Sequence, residues 1–172
     1  MSTLTPNEIA FTGAASEYCQ AMQQAAETDR EAFVSAMLRL LPRIYIMASD
    51  LDTDSISPDD GYLSDALDED SYESARAAVA SLLDPDDIYL ETFEEDMKYS
   101  DTPVSASISE SLADIYQVLY NFIETMRDAT DETASLAFRS VYDDFRNYWS
   151  QTLVNVMRPL NALFNSPDNQ DF

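Results

Sequence analysis

The sequence predicts an all-α protein, a single-domain irregular bundle of about five or six helices with a long acidic loop. Apolar residues recur at three- and four-residue steps through most of the chain, which is the period of a helix. No run alternates apolar and polar residues in the manner of a half-buried strand. The 172 residues are 45% hydrophobic, enough to bury one core without disulfides or a structural metal. One domain, 1–172, therefore accounts for the whole chain.

The first fifty residues predict two helices. Between Pro6 and Thr28, one face carries Phe11, Ala14, Tyr18, Met22 and Ala25. Asp29 is then a suitable N-cap for a second helix, whose apolar stripe consists of Phe33, Met37, Leu41, Ile44 and Met47. Pro42 lies inside this stripe. Because proline removes a helical N–H and clashes with the preceding turn, we expect a kink near residues 38–41 or two shorter helices.

Residues 50–73 predict an acidic surface loop. This stretch has ten Asp and Glu and no Lys or Arg, and its Pro58 and Gly61 interrupt regular structure. A short helix is predicted over 71–83, with Ala75, Val79 and Leu82 facing inward. Asp84 then fits the N-cap of another helix over residues 85–99, since its Pro85 is suited to a first helical position.

The clearest helical pattern follows Thr102, with an apolar stripe of Ile108, Leu112, Ile115, Leu119, Phe122 and Met126. This helix has two compatible starts. One is Thr102 followed by Pro103, and the other is Ser107, which fits an S-x-x-E capping box with Glu110. We prefer Thr102, because no residue after Pro103 interrupts the helix. A final helix is predicted from Thr130 through Leu160, with a bend at Pro159.

The net charge of -24 limits the partners of this chain. Nine Lys and Arg face 33 Asp and Glu, and such a field repels phosphates and anionic lipids. We therefore expect no nucleic acid and no membrane partner, whereas a basic protein partner or a small ligand is compatible with the charge. A surface that serves only solubility is the alternative. The sequence leaves the oligomeric state open.

Residue counts exclude several chemistries. Cys19 is the only cysteine, so an internal disulfide and a cysteine-rich zinc cluster are excluded, and its setting predicts a buried core thiol. The absence of His removes Ser-His-Asp triads and the usual zinc motifs, and two glycines cannot build a phosphate-binding loop. We predict no cofactor. The start of the chain lacks a basic region and an apolar run, so we expect a soluble, cytoplasmic protein.

One acidic pattern resembles part of a calcium site. Asp50, Asp52 and Asp54 repeat the opening D-x-D-x-D of an EF-hand loop, whose alternate carboxylates converge on the ion. The rest of the loop does not fit, because Ser55 stands where Gly is required and Gly61 stands where a bidentate Glu belongs. We interpret the stretch as a solvated loop and predict no metal site.

A second pattern, Glu91-x-x-Glu94 followed by Glu95 and Asp96, resembles in part the all-helical nucleotide pyrophosphohydrolases. These enzymes hold magnesium with an ExxE on one helix and an ExxD on the next. Here the second motif is missing, because the acid pairs of the following helix, Glu110 with Asp114 and Glu124 with Asp128, are spaced by four residues. A carboxylate-bound magnesium or manganese enzyme of that type is nevertheless the alternative function.

The candidate binding site lies where one predicted helix ends and the next begins. It contains Lys98, the only lysine of the chain, with Tyr99 as a second ligand-facing residue. Asp101, Glu110 and Asp114 would position them, and the helix N-terminus would attract an anionic ligand through its free N–H groups. The alternative is a polar helix junction, in which Lys98 favours the end of its helix and Thr102 caps the next.

The same stretch carries a family resemblance. The run "YLETFEEDMKYSDTPVSASISESLADIYQ", with "LLPRIY" at 40–45, "EYC" at 17–19 and "NYWSQTLVN" at 147–155, resembles the uncharacterised bacterial proteins grouped as domain of unknown function 5063. The resemblance implies a small all-helical cytosolic protein and brings no reaction, ligand or catalytic residue. Our leading hypothesis is a non-enzymatic interaction or regulatory domain, which engages a protein or small ligand through its acidic surface and the Lys98 to Asp114 region.

Overall fold

The described residues of the computed structural model are 3–91 and 104–166, and most of them are helical. The elements are α1 (Pro6–Gln23), α2 (Arg30–Ser49), α3 (Glu69–Leu83), β1 (Ile88–Leu90), β2 (Ser105–Ser107), α4 (Ile108–Met126), α5 (Asp131–Asp144) and α6 (Ser150–Asn165). A π-helical turn, Phe145–Trp149, joins α5 to α6. Besides two short 3-10 helices, Ala25–Glu27 and Pro58–Asp60, the described residues thus contain five continuous α-helical segments, counting α5, the π turn and α6 as one, and the predicted all-α bundle is confirmed.

Short polar side chains fix the starts of the helices. Thr5 begins α1 with a capping box, in which the Glu8 N–H donates to Thr5 Oγ1 (3.1 Å) and the Thr5 N–H donates to Glu8 Oε1 (3.2 Å). Asp29 caps α2 by accepting from the Ala32 N–H (2.8 Å), as the sequence predicts. Thr130 caps α5, at the residue where the sequence predicts the start of the final helix. α2 runs through Pro42 as one helix, so the alternative of two shorter helices is wrong.

The core is built around α4, which packs against α1, α3, α5 and α6. Five residues of its predicted stripe have no exposed surface: Ile108, Leu112, Ile115, Leu119 and Phe122. The Phe122 ring meets Phe11 of α1 and Phe138 of α5 edge-on, with centroids 5.2 and 5.1 Å away. Burial of each such side chain contributes about 1.5–3 kcal/mol. Cys19 lies in the same core as a buried free thiol, which confirms its prediction.

The acidic loop is anchored to the outside of α4 and α5. Its backbone N–H groups at Ala66 and Leu67 donate to Asn121 Oδ1 (3.0 and 2.9 Å), and the Ser64 N–H donates to Thr125 Oγ1 (2.8 Å). Thr53 is only 4% exposed. α3 begins at Glu69, so the last five residues of the predicted loop are helical. Side chains of the bundle therefore hold the acidic loop in place, although its composition alone predicts a solvated loop.

The segment after Asp84 differs from its prediction. β1 pairs antiparallel with β2, with Ile88 opposite Ser107 and Leu90 opposite Ser105. The predicted helix from Asp84 is therefore wrong over residues 84–91, and so is the expectation that strands are absent. The isoleucine and tyrosine of β1 favour an extended backbone, and pairing with β2 satisfies its polar groups.

The start of α4 also differs from the preferred prediction. Ser107 is the N-cap, since its Oγ accepts from the Glu110 N–H (3.0 Å). The preference for Thr102 is wrong, because Ser105–Ser107 is a strand that precedes the helix. Thr102 and Pro103 themselves lie outside the described residues.

α2 is the one helix of the described chain that is long and apolar enough to cross a membrane, with a mean hydropathy of 1.3. Core helices meet the same criterion. In this fold α2 packs against α1 and α6 and buries seven residues: Phe33, Val34, Met37, Leu40, Leu41, Ile44 and Ala48.

The two glycines predict opposite effects of an added methyl group. A Cβ at Gly61 would lie 3.0 Å from the backbone N and Cα of Ser140, so Gly61→Ala should push the loop off α5 and destabilise the fold.

Gly13 lies in α1, and a Cβ there meets nothing within 4 Å. Gly13→Ala should therefore stabilise the protein by about 0.5–1 kcal/mol. Urea denaturation measures both, and stabilisation by Gly61→Ala would show that the loop is not in close contact with α5.

Candidate functional site

The candidate residues fall into two groups. Lys98, Tyr99 and Asp101 lie outside the described residues, whereas Glu110 and Asp114 lie in the first two turns of α4. The segment 92–103 connects β1 to β2 along the chain. The two residues that flank this segment are hydrogen-bonded to each other, since the Glu91 N–H donates to the Val104 carbonyl (2.7 Å). The candidate stretch thus leaves and rejoins the described fold at one point, directly before α4.

The N-terminus of α4 is occupied by a carboxylate of the chain itself. The Ser109 N–H and Oγ–H donate to the two carboxylate oxygens of Asp87 (2.8 and 2.6 Å), and the Ile108 N–H donates to the Asp87 carbonyl (2.8 Å). With the Glu110 N–H held by Ser107, the first donors of the helix are satisfied. An anionic ligand at this terminus would have to displace Asp87. The carboxylate of Asp87 therefore takes the place that the sequence analysis gave to an anionic ligand.

Asp114 is oriented by a tyrosine from α3. The Tyr72 hydroxyl donates to Asp114 Oδ1 at 2.6 Å. Desolvation raises the pKa of Asp114, the hydrogen bond from Tyr72 opposes this, and the negative charge of Glu110 raises the pKa further. Burial is also the first cause of the raised pKa of Tyr72, so this hydroxyl keeps its proton and remains a donor. The carboxylate is held in one orientation in an environment that disfavours its charge.

Glu110 and Asp114 form no ion pair within the described part of the chain. The hydrogen bond that the Arg76 guanidinium donates to Glu73 (Nε to Oε2, 2.8 Å) is the first cause of the raised pKa of Arg76, and the negative charge of Glu110 contributes less to it. The predicted pair therefore shares one face of α4 as two carboxylates that no ion pair neutralises.

Glu91, a ligand in the alternative metal hypothesis, is used in a hydrogen-bond network. Its Oε1 accepts from the Tyr89 hydroxyl (2.9 Å), and its Oε2 accepts from Asn155 Nδ2 (2.7 Å). The Tyr89 hydroxyl also lies 3.0 Å from Ser111 Oγ, and burial raises the pKa of Tyr89 to about 12. A divalent ion at Glu91 would have to replace both hydrogen bonds. Glu94, Glu95 and Asp96 lie outside the described residues.

The calcium-like pattern is equally occupied by local contacts. Asp50 is the C-cap of α2, and Asp52 Oδ1 accepts from the Asp54 N–H (3.3 Å). The carbonyl of Thr53, between Asp52 and Asp54, accepts from Arg139 Nη1 (3.1 Å), which brings a positive charge next to this part of the loop. Across residues 3–91 and 104–166, no group of three or more Asp, Glu, His or Cys is arranged to hold a metal.

Three contributors to these sites escape the sequence analysis. Asp87 falls in the first turn of the helix predicted after Asp84, and residues 84–91 are not helical. Tyr72 lies 42 residues from Asp114. Asn155 gives a usable signal, because it is a polar residue between Leu153 and Val156 on the apolar stripe of α6. A buried amide on such a stripe needs a partner, which here is Glu91.

Comparisons with known proteins agree with the predicted resemblance. The family model of a domain of unknown function, DUF5063, matches residues 2–166. The crystal structure of protein BF1032 from Bacteroides fragilis is similar, with a TM-score of 0.77 and 30% sequence identity over 94% of each chain. No match is found among curated proteins.

The opposite pKa directions of Asp114 and Asp68 predict opposite pH effects. The raised pKa of Asp114 means that the folded state retains its proton longer, so this group lowers stability as pH rises through the carboxyl range. The pKa of Asp68 is lowered, first by the hydrogen bond from the Ser71 backbone, so this group adds stability over the same rise. Relative to wild type, Asp114→Asn should gain stability between about pH 3 and pH 6, and Asp68→Asn should lose it.

Urea denaturation at several pH values measures these differences. Asparagine keeps an acceptor oxygen at both positions, so the comparison isolates the charge. Changes of the same sign in both variants would contradict the assignment of Asp114 as a desolvated carboxylate.

Proposed function

Since the chain belongs to the DUF5063 family of domains of unknown function, we propose its function from its own geometry: it is a non-enzymatic interaction or regulatory domain that binds a basic segment of a partner protein. The observation that carries the proposal is the pair Glu110 and Asp114. These carboxylates lie one turn apart on α4 without an ion pair in the described part of the chain, and Tyr72 orients one of them. A lysine or arginine of the partner completes this arrangement.

The electrostatics favour a cation at this position. A positive charge beside Asp114 opposes the desolvation and the repulsion from Glu110 that raise its pKa. The partner therefore gains an interaction that the free domain lacks. In addition, a net charge of -24 steers basic partners toward the surface and increases their association rate.

The proposed surface includes the segment before α4. Asp101 precedes Val104 by three residues in the sequence. Lys98 and Tyr99 lie farther along the same segment. In this proposal Asp101 adds a third carboxylate to the surface, and Lys98 and Tyr99 contact the partner beside it.

Binding of a dye-labelled peptide rich in Lys and Arg, followed by fluorescence anisotropy, tests the function. The site variant Glu110→Gln with Asp114→Asn should weaken binding by about tenfold or more, because two favourable charge contacts are removed. The matched control, Glu31→Gln with Asp59→Asn, makes the same change in net charge at two exposed carboxylates. It should weaken binding by less than about threefold.

Two further arms complete this experiment. An Asp- and Glu-rich peptide should not bind, and Asp101→Asn should weaken binding of the basic peptide. Equal weakening in the site variant and the matched control would assign binding to the overall charge of the domain and would contradict the proposed site. Failure of the basic peptide to bind would contradict the function itself.

A further inference from the structure

A concave surface, distinct from the proposed protein-binding surface, lies between the end of α1, α3 and α4. It has a volume of about 500 Å³, within the range of small-ligand sites, and α4 contributes Tyr116 and Tyr120 to its lining. We propose that this cavity binds a small organic cation, an ammonium group that carries an apolar body. The ring of Tyr120 and the carboxylate of Asp70 would hold the charged head.

The tyrosine pair provides the aromatic surface. Tyr116 and Tyr120 follow each other by one turn of α4, and their rings are nearly perpendicular, with centroids 5.7 Å apart and planes at 68°. The face of an aromatic ring is electronegative and attracts a cation within about 6 Å of its centroid. Tyr116 is buried, so the ring that a ligand can reach is that of Tyr120, which packs edge-to-face against Tyr116.

The cavity is prepared before any ligand binds. Tyr116 is only 3% exposed, and its hydroxyl accepts from Gln23 Nε2 at 3.3 Å. Desolvation raises the pKa of Tyr116, so the ring remains neutral and its hydroxyl remains protonated. Because packing and one hydrogen bond fix the Tyr116 ring, this side chain loses little conformational entropy when a ligand binds.

The charge around the cavity selects a cation. Asp70, in the first turn of α3, contributes a carboxylate to the lining, and among residues 3–91 and 104–166 neither Lys nor Arg lines the cavity. Ser71 and Ser74 add hydroxyl groups to the same wall. Because the whole chain carries a net charge of -24, an anion is repelled and a cation is concentrated near this surface.

The apolar part of the lining indicates what accompanies the charge. Ala26 is exposed and Ala78 is half-buried, and both line the cavity. An apolar body on the ligand would displace water from these side chains. The cavity is separate from the proposed protein-binding surface, since its lining includes neither Glu110 nor Asp114.

Choline and its uncharged isostere 3,3-dimethyl-1-butanol test the inference directly, because they have the same shape and differ in charge. In titrations followed by NMR at constant ionic strength, choline should bind at least about tenfold more tightly than the isostere. Benzyltrimethylammonium should bind more tightly than choline, since its ring adds apolar contact.

Variants separate the aromatic and the ionic contributions. Tyr120→Leu should weaken benzyltrimethylammonium binding by about tenfold, and Tyr120→Phe, which keeps the ring, should weaken it by less than about threefold. Asp70→Asn should weaken it by about threefold or more. The controls are Tyr148→Leu, at a tyrosine that is 71% exposed and outside the cavity lining, and Asp59→Asn. Both should bind as wild type does, and melting temperatures confirm that each variant is folded.

Three results would overturn the inference. Equal binding of choline and its isostere would make the cavity a neutral apolar site. Equal weakening by Asp59→Asn and Asp70→Asn would assign binding to the general field of an acidic protein. Absence of saturable binding by all three probes would show that the cavity takes no such cation. Glu110→Gln with Asp114→Asn should leave the titrations unchanged, so this test and the peptide experiment fail independently.

Discussion

The position of α4 depends on one aspartate that precedes β1. The Asp87 carboxylate holds the Ser109 N–H and hydroxyl, and its carbonyl holds the Ile108 N–H, so β1 and the first turn of α4 are joined directly. Successive residues of a helix are rotated by about 100°. A start shifted by one residue would therefore turn the buried stripe of α4 away from α1, α3, α5 and α6. It would also move Glu110, Asp114 and the tyrosine pair.

The excess of acidic residues serves more than solubility. Asp29, Asp68 and Asp87 each accept a hydrogen bond from a backbone N–H in the first turn of a helix, where the helix dipole favours a negative charge. In the described chain, other acids pair with arginine: Glu17, Glu73, Asp86, Glu124 and Asp143. Glu110 and Asp114 belong to neither group, and the hydrogen bond from Tyr72 to Asp114 distinguishes this pair from the other acids without an ion pair.

Local patterns predict the helices because helical periodicity and caps are local properties. The stripes of α1, α2 and α4 lie where expected, as do the cap Asp29 and the start of the last helical segment at Thr130. The β1–β2 pair escapes prediction, because each strand has three residues and Ser105–Ser107 has little strand propensity of its own. The anchoring of the acidic loop by Asn121 is missed for a similar reason, since it depends on contacts 54 and 55 residues apart.

The candidate site is predictable only in part. The four-residue spacing of Glu110 and Asp114 places them on one helix face, whereas the orienting hydroxyl of Tyr72 comes from α3 and cannot be read from spacing. A helix N-terminus lies close to the predicted anion site, but its free N–H donors are already bound by Asp87 of the chain itself. Lys98, Tyr99 and Asp101 remain predictions.

Amide hydrogen exchange at Ser109 tests most directly whether Asp87 fixes the start of α4. In Asp87→Ala this amide should lose its protection, and the free energy of unfolding should fall by about 1–2 kcal/mol, because a helix cap with two hydrogen bonds is removed. In Thr102→Ala the same amide should remain protected, since Thr102 precedes the strand and does not cap the helix. Protection that survives Asp87→Ala and is lost in Thr102→Ala would contradict the account.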